Sequence, residues 1–266
     1  MKPYRGIYNK NAADPWKISR SKIDLFIQCQ RCFWLEARKG IKRPSMPPFL
    51  INSTIDALFK KEFDIFREKG EPHGLQTKFG VDAIPAKHEN INMWRENFKG
   101  IQFHHEPTNL YVFGAIDDLW INPDEEYIVV DYKATAKNKK IDHLDDTKWH
   151  DQYRRQMEVY QWLLRQNGLK VSDTGYFVYA NGRSDVDSFD GKIEFNIEVF
   201  PYTGKDDWVE PILQDIKKIL DKDAIPEVGC DCEHCMYAKS RTVLTIEALK
   251  QRKNSKWAKK QLLRDS

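Results

Sequence analysis

No stretch of this 266-residue sequence stays apolar for more than a few residues, so no segment is expected to form a helix that spans a bilayer. The opening MKPYRGIYNKNAADPWK lacks the apolar core that a secretory signal needs. A cytoplasmic protein is the expectation. Excess charge of one sign is missing as well. The 43 basic residues nearly cancel the 40 acidic ones, leaving +3, so local clusters say more about partners than the total does. There is no internal repeat and no low-complexity segment. No G-x-x-x-x-G-K-[ST] phosphate loop is present, so any nucleotide-driven motor must be a separate partner.

What is present is a globular composition, 41% hydrophobic and 31% charged, long enough for one sizeable core or a core with an attached subdomain. A first helix is expected through SRSKIDLFIQCQRCFWLEARKG (19–40), with Ser19 or Ser21 as N-cap and Gly40 as terminator. The Pro-rich RPSMPPF (43–49) reads as a rigid connection. A second helix follows in NSTIDALFKKEFDIFREKG (52–70), capped by Asn52 or Ser53. Residues 71–100 give no clear pattern. Strand-like runs follow at 101–105, 109–121 and 127–135. A helix then opens at Thr147 and closes at Gly168, before strands in GYFVYA and KIEFNIEVF and a helix near 206–221. The order implies a mixed α/β core, divided as an N-terminal helical segment (1–50), a core (51–225) and a C-terminal segment (226–266) that forms one unit with the N-terminal part.

The stretch GAIDDLWINPDEEYIVVDYKATAK (114–137) places acids among residues that belong in a core. If 114–121 and 127–135 pair about the loop NPDEE, pairing Ile121 with Tyr127 also sets Asp117 opposite Asp131, with Cβ atoms roughly 5 Å apart. Lys133 projects from the same face as Asp131, while Val130 and Tyr132 face the other way. Like charges directly opposite are destabilising. A divalent cation relieves that, and oxygen ligands select Mg²⁺ or Mn²⁺. A lysine there can orient an attacking water or offset charge on a phosphate. The alternative is a surface hairpin whose acids are solvated and whose lysine pairs across the strands.

Asp117 followed by Asp131-Tyr132-Lys133 resembles the core motif of the PD-(D/E)XK nuclease superfamily. Gln156-Met-Glu-Val-Tyr160 resembles the Gln-x-x-x-Tyr signature of its RecB-like branch, and at i, i+4 both residues share a helix face. The resemblance implies a restriction-endonuclease-like fold, a central mixed sheet flanked by helices. It further implies Asp117 and Asp131 as ligands of Mg²⁺ or Mn²⁺ aided by the Tyr132 carbonyl, Lys133 as the catalytic lysine, and Gln156 and Tyr160 as groups that orient the strand or the lysine. Relatives usually add a histidine on an upstream helix. Here Asp56 stands at that place, at the edge of a stripe formed by Ile55, Leu58, Phe59, Phe63 and Phe66, with Glu62 as its rival and a helix-N-terminal acid as the plain alternative.

The five cysteines fall in two clusters, Cys29 with Cys32 and Cys230 with Cys232 and Cys235. Two C-x-x-C hooks so far apart signal a metal. Four of the five would clip the N-terminal helix to the C-terminal segment, a structural role. Similarity to AddB-type and CRISPR-associated RecB-like nucleases implies a [4Fe-4S] cluster. Those relatives carry a further cysteine downstream that is absent after Cys235, and two C-x-x-C hooks also suit Zn²⁺. His104-His105 cannot chelate from one side, because adjacent strand residues point to opposite faces.

Two basic patches bear on nucleic acid. KATAKNKK, with Lys137, Lys139 and Lys140, directly follows the catalytic lysine. The second, KQRKNSKWAKKQLLR (250–264), holds seven basic residues and no acid; Lys256, Lys259 and Lys260 with Trp257 could grip phosphates and stack a base, or form a solvated terminal helix. The resemblance implies a metal-dependent DNA nuclease acting on single strands or ends, in repair or in CRISPR spacer processing, with a helicase or CRISPR adaptation partner in trans. The competing readings are a non-catalytic nucleic-acid-binding or assembly protein with a nuclease-derived core and a zinc clasp, and a zinc-clasped adaptor that docks a protein through its last helix.

Overall fold

The first helical stretch is interrupted where the sequence periodicity continues. α1 (Arg20–Gln28) is capped by the Ser19 hydroxyl, which accepts the Lys22 N–H at 3.3 Å, satisfying one donor of the first turn. It stops at Cys29, whose backbone is extended (φ −165°, ψ 106°), and α2 (Gln30–Lys39) starts anew with the Cys29 thiol accepting the Cys32 N–H. The expected single helix of 19–40 is therefore two. Gly40 ends the second in the left-handed conformation at φ 69°, as glycine does most readily. The computed structural model describes residues 3–45, 47, 49–229 and 231–262, with side chains described as far as residue 253.

α3 (Leu50–Lys69) begins two residues before the expected Asn52, without a side-chain cap, and ends at Gly70 as its sequence indicates. The unpatterned region contributes α4 (Gly74–Lys78), the two-residue β2 (Ile84–Pro85) and α5 (Ile91–Trp94). The run expected at 109–121 divides into β4 (Leu110–Gly114) and β5 (Asp118–Ile121). Along with β1 (Trp16–Ser19), which the periodicity gave no sign of, and β3 (Ile101–His105), β4 forms a sheet in the order β1-β4-β3. The larger sheet runs β2-β5-β6-β7-β8, with β6 (Tyr127–Thr135), β7 (Thr174–Gly182) and β8 (Phe195–Thr203). Its β6–β7 pair is parallel and the others antiparallel, so the sheet is mixed, as expected. α6 (Lys148–Gln166) fills the β6–β7 crossover, capped by Thr147. α7 (Val209–Asp221) and α8 (Glu233–Leu262) complete the chain.

Alternation along β6 divides the molecule into two cores. Val129 joins the larger cluster, under α1, α6 and α7, while Ile128, Val130 and Tyr132 join a second one under α3, with Phe59 and Phe63. A strand buried on both faces reads as a continuous apolar run, so YIVVDYKAT carries its two charges at positions 131 and 133 inside the α6 side of the sheet.

Candidate active site and cysteine metal centre

The hairpin has the expected register. Ile121 pairs with Tyr127 and Asp118 with Val130, so Asp117 comes next to the place opposite Asp131. β5 begins only at Asp118, and the pair does not close as a ladder. Asp117 instead turns one carboxylate oxygen to the Tyr132 N–H at 2.9 Å, its side chain 23% exposed. Asp131 is fully buried.

Around Asp131 the polar groups form one connected row. Lys133 Nζ makes a close ion pair with Asp131, and the buried Asp131 oxygens have no other donor among the described residues. The same ammonium donates to Gln156 Oε1 at 3.2 Å and lies over the Tyr153 ring, 4.3 Å from its centroid. Gln156 Nε2 donates to the Tyr160 hydroxyl at 3.2 Å. Gly114 makes room for this arrangement: a Cβ there would stand 2.6 Å from the Tyr160 ring. Burial pushes the Asp131 carboxyl up to about 7, with Lys133 opposing and Asp117 reinforcing. Lys133 moves above its ordinary value although burial opposes its charge, because Asp131 and Asp117 outweigh it. A buried carboxylate with unsatisfied oxygens is costly unless a cation meets it.

α3 brings the third acid. Lys60 Nζ lies 2.8 Å from Asp56 Oδ2 and 3.8 Å from Asp117 Oδ1, bridging the helix to the hairpin. Asp56 Oδ1 is buried without a partner, and burial followed by the Asp117 charge raises the Asp56 carboxyl above the usual range. Glu62, its rival, is turned to His73 Nε2 at 3.0 Å. Asn52 donates to the Ala134 carbonyl at 3.3 Å, fixing the first turn of α3 against β6. Between them lies a cavity of about 210 Å³ lined by Asn52, Ile55, Asp56, Tyr132, Lys133, Ala134 and Tyr153. Asp56 alone of the three acids lines this cavity, and its unpartnered oxygen, with Asp117 tied to it through Lys60, suits a hard divalent cation. Leu58, placed by periodicity on the core stripe, is 56% exposed.

Sequence reasoning missed what stands behind this site. Asp118, the neighbour of Asp117, is fully buried. It pairs with Arg67 of α3, lies 2.6 Å from Arg95 Nη2, and accepts the Tyr132 hydroxyl at 2.6 Å. Arg95 also donates from Nε to the Asp117 carbonyl at 3.1 Å. Asp117 is thus presented by a backbone anchored through its neighbour. The doubled acid Asp117-Asp118 was the available signal, but Arg67 and Arg95 are too remote in sequence to be matched to it. The His104-His105 pair lies at the end of β3, as expected of a strand end, with His105 Nε2 2.7 Å from Glu210 and His104 Nε2 3.0 Å from Asn109.

The second site is made of sulfur. Cys29, Cys32, Cys232 and Cys235 are buried, and their Sγ atoms all lie within 4.8 Å of one another. Cys32 Sγ stands 3.5 Å from both Cys232 and Cys235, and Cys29 Sγ stands 3.8 Å from Cys235. Burial raises Cys235, whereas Cys29 falls to about 6, burial being outweighed by backbone hydrogen bonds from Cys32 and Gly229. The break at Cys29 makes this possible by turning that thiol back over the first turn of α2. Among the described residues the four cysteines are the one group of Cys, His, Asp or Glu gathered this tightly. Cys230 lies outside the described residues. The side chains of Lys256, Trp257, Lys259 and Lys260 lie outside them too.

The basic loop after β6 is held in place. Asn181 of β7 accepts the Lys137 N–H at 2.8 Å and donates to the carbonyls of Lys137 and Lys139 at 2.9 and 3.1 Å. Lys140 is drawn to Glu198 at 3.5 Å. Lys137, Lys139 and Lys140 line one side of a cavity of about 650 Å³ at the end of the β6–β7 pair.

A mixed α/β sheet with buried acids and a lysine on one strand, closed by a helix bearing Gln and Tyr, defines the architecture of a metal-dependent phosphodiester hydrolase. Residues 50–240 match the sequence model of the PD-(D/E)XK nuclease superfamily, and the chain belongs to that superfamily, whose members cut phosphodiester bonds with divalent metals. No curated protein matches. Among solved structures, the crystal structure of SSO0001 is similar at 12% identity and a TM-score of 0.33, covering 83% of this chain and 82% of that one. No described helix is long and apolar enough to cross a membrane.

Proposed function

We propose that this chain is a RecB-like DNA nuclease, acting on single strands or ends, in repair or in CRISPR spacer processing. The observation that carries the proposal is Asp131, fully buried and met only by the ammonium of Lys133, which Gln156 also holds. Asp56, Asp117 and Asp131, with the Tyr132 carbonyl, would hold Mg²⁺ or Mn²⁺. When bound, the ion supplies charge neutralisation and polarises the phosphodiester. Lys133 Nζ then directs the attacking water and faces the phosphate, while Gln156 fixes the ammonium and Tyr160 fixes Gln156. Lys137, Lys139 and Lys140 guide the backbone of the strand through charge that carries no sequence information. A helicase or an adaptation complex supplies strand separation in trans. A cytoplasmic location belongs to the same reading. The boundaries 1–50, 51–225 and 226–266 serve as a working division, the outer two joined by the cysteines.

For the cysteine site we read a single tetrahedral ion, zinc. Zinc–sulfur bonds of about 2.3 Å put tetrahedral sulfurs roughly 3.8 Å apart; three of the six sulfur pairs stand 3.5, 3.5 and 3.8 Å apart, and all lie within 4.8 Å. A four-iron cluster, implied by the family resemblance, sets its own iron and sulfide atoms between the thiolates and holds them farther apart. Elemental analysis decides, with stoichiometric zinc expected and a brown protein standing against it. The nuclease reading is tested by incubating purified protein with end-labelled single- and double-stranded DNA, with and without Mn²⁺. Absence of metal-dependent cleavage on both substrates would leave the non-catalytic binding protein.

A further inference from the structure

The cysteine quartet has a charged neighbour that the catalytic reading does not use. Arg43 lies at the start of the Pro-rich connection to α3. Its Nη2 donates to Cys232 Sγ at 3.5 Å, and its Nη1 donates to Gln28 Oε1 at 2.9 Å. Its Nε is buried with no partner. Four thiolates around a divalent ion leave two net negative charges, and here they are enclosed by side chains less than a tenth exposed. Buried charge of that kind needs a compensating cation or donor, and groups beyond the ligands tune both affinity and ligand orientation.

We propose that Arg43 is the counter-charge of the cysteine-bound metal. This rests on reading the quartet as a metal site and is independent of the nuclease reading. The fork shape of guanidinium explains the residue type, since one nitrogen reaches sulfur while another is held by α1, which a lysine cannot do in the same geometry. Gln28 is itself fixed: it donates to Asp24 Oδ2 at 2.5 Å, and Asp24 accepts Arg155 Nε of α6 at 2.7 Å. Arg43 is therefore held toward the sulfur by a row of hydrogen bonds that ends on the helix carrying Gln156.

The test uses the full chain loaded with Zn²⁺, and separately with Co²⁺, whose thiolate absorption reports intact coordination. Metal release is followed against a competing chelator in the parent, Arg43→Gln and Arg43→Lys. Arg43→Gln should hold the ion about 10- to 100-fold more weakly, the usual scale for a partner of the ligands. Arg43→Lys should recover part of that loss, because it retains the charge. Retention of metal by Arg43→Gln equal to the parent overturns the proposal, as does a lysine variant no better than the glutamine one. Should Arg43→Gln fail to fold, Gln28→Ala keeps the charge and frees the fork; it should release metal faster than the parent, and equal release overturns the proposal. A parent that binds neither ion removes the metal site itself, a result distinct from failure of the Arg43 role.

Discussion

The sulfur site and the carboxylate site show two ways of assembling ligands. The cysteines are gathered by backbone geometry: a helix broken at Cys29, a thiol capping the next helix, and four sulfurs within 4.8 Å of one another. The carboxylates come from α3, the approach to β5, and β6, and remain apart: Lys60 bridges Asp56 and Asp117, and Lys133 pairs with Asp131. Closed ligand sets serve structure, whereas catalytic centres keep positions open for water and substrate. The difference lies in what the chain leaves unsatisfied. The sulfur site is closed on itself, whereas the carboxylate site opens on a cavity lined by Asp56 and Lys133.

The comparison makes its largest claim on activity. Lys133→Ala and Asp131→Ala should each lower metal-dependent cleavage by at least about 10²–10³-fold, the scale of a lost transition-state contact. Circular dichroism should be unchanged. Without metal, Asp131→Ala should melt below the parent, because it leaves the buried Lys133 ammonium without its carboxylate partner. Undiminished cleavage by either variant breaks the catalytic half of the comparison.

Cys235→Ser attacks the other half. A structural metal site contributes folding energy directly, so this variant should melt roughly 10 °C or more below the parent, a loss of several kcal/mol in a chain of this size. Strong chelation of the parent should reproduce that drop, and chelation should add little to the variant. A variant that melts with the parent would show that the quartet carries no ion.

Asp118→Asn sharpens the boundary between the two kinds of site. Asp118 is fully buried, with Arg67 and Arg95 side chains only 5% and 8% exposed. Removing one partner of such a buried pair costs about 3–5 kcal/mol, measurable as a lower urea midpoint. Cleavage by the fraction that stays folded should need more Mn²⁺, because Arg95 also holds the Asp117 carbonyl. A normal metal requirement would show that Asp117 does not depend on its neighbour's anchor.

Local pattern made part of this legible. The register of β5 and β6 followed from a turn and a symmetric pair of apolar runs; Gln156 and Tyr160 were singled out by resemblance to a Gln-x-x-x-Tyr signature, and helical spacing put them on one face. The caps at Ser19 and Thr147 were also local. What escaped depends on partners distant in the chain. Arg67 lies in register with the buried Phe59 and Phe63 of α3, but its charge reads as solvated until Asp118 is placed beside it. β1 is four residues long and takes its sheet partner from residues 110–113. The break at Cys29 contradicts continuous helical periodicity, because a thiol cap and the sulfur partners near residue 232 outweigh local propensity. The choice of Cys32 alongside Cys29 likewise needed the fold.

The smallest expected effect is at Asp56. Its oxygens are divided: Oδ2 accepts Lys60, while Oδ1 is buried and unpartnered. Asp56→Asn preserves shape and the bond to Lys60 but halves the ligand's donor strength and removes its charge. The fold should survive, and half-maximal cleavage should need about 10-fold more Mn²⁺ with little change at saturating metal, since the reacting groups on β6 are untouched. Asp56→His should retain partial activity and shift preference from Mg²⁺ toward Mn²⁺, because imidazole is a softer donor than carboxylate. The opposite expectation follows if Asp56 serves only its helix. Asp56 lies within the second turn of α3, so the helix dipole offers a carboxylate there no more than about 1 kcal/mol, which Asn would lose as a small drop in melting temperature at every metal concentration. A metal titration that superimposes on the parent's, together with that small drop, would assign Asp56 to the helix and leave Asp117 and Asp131 as the ion's only acidic ligands.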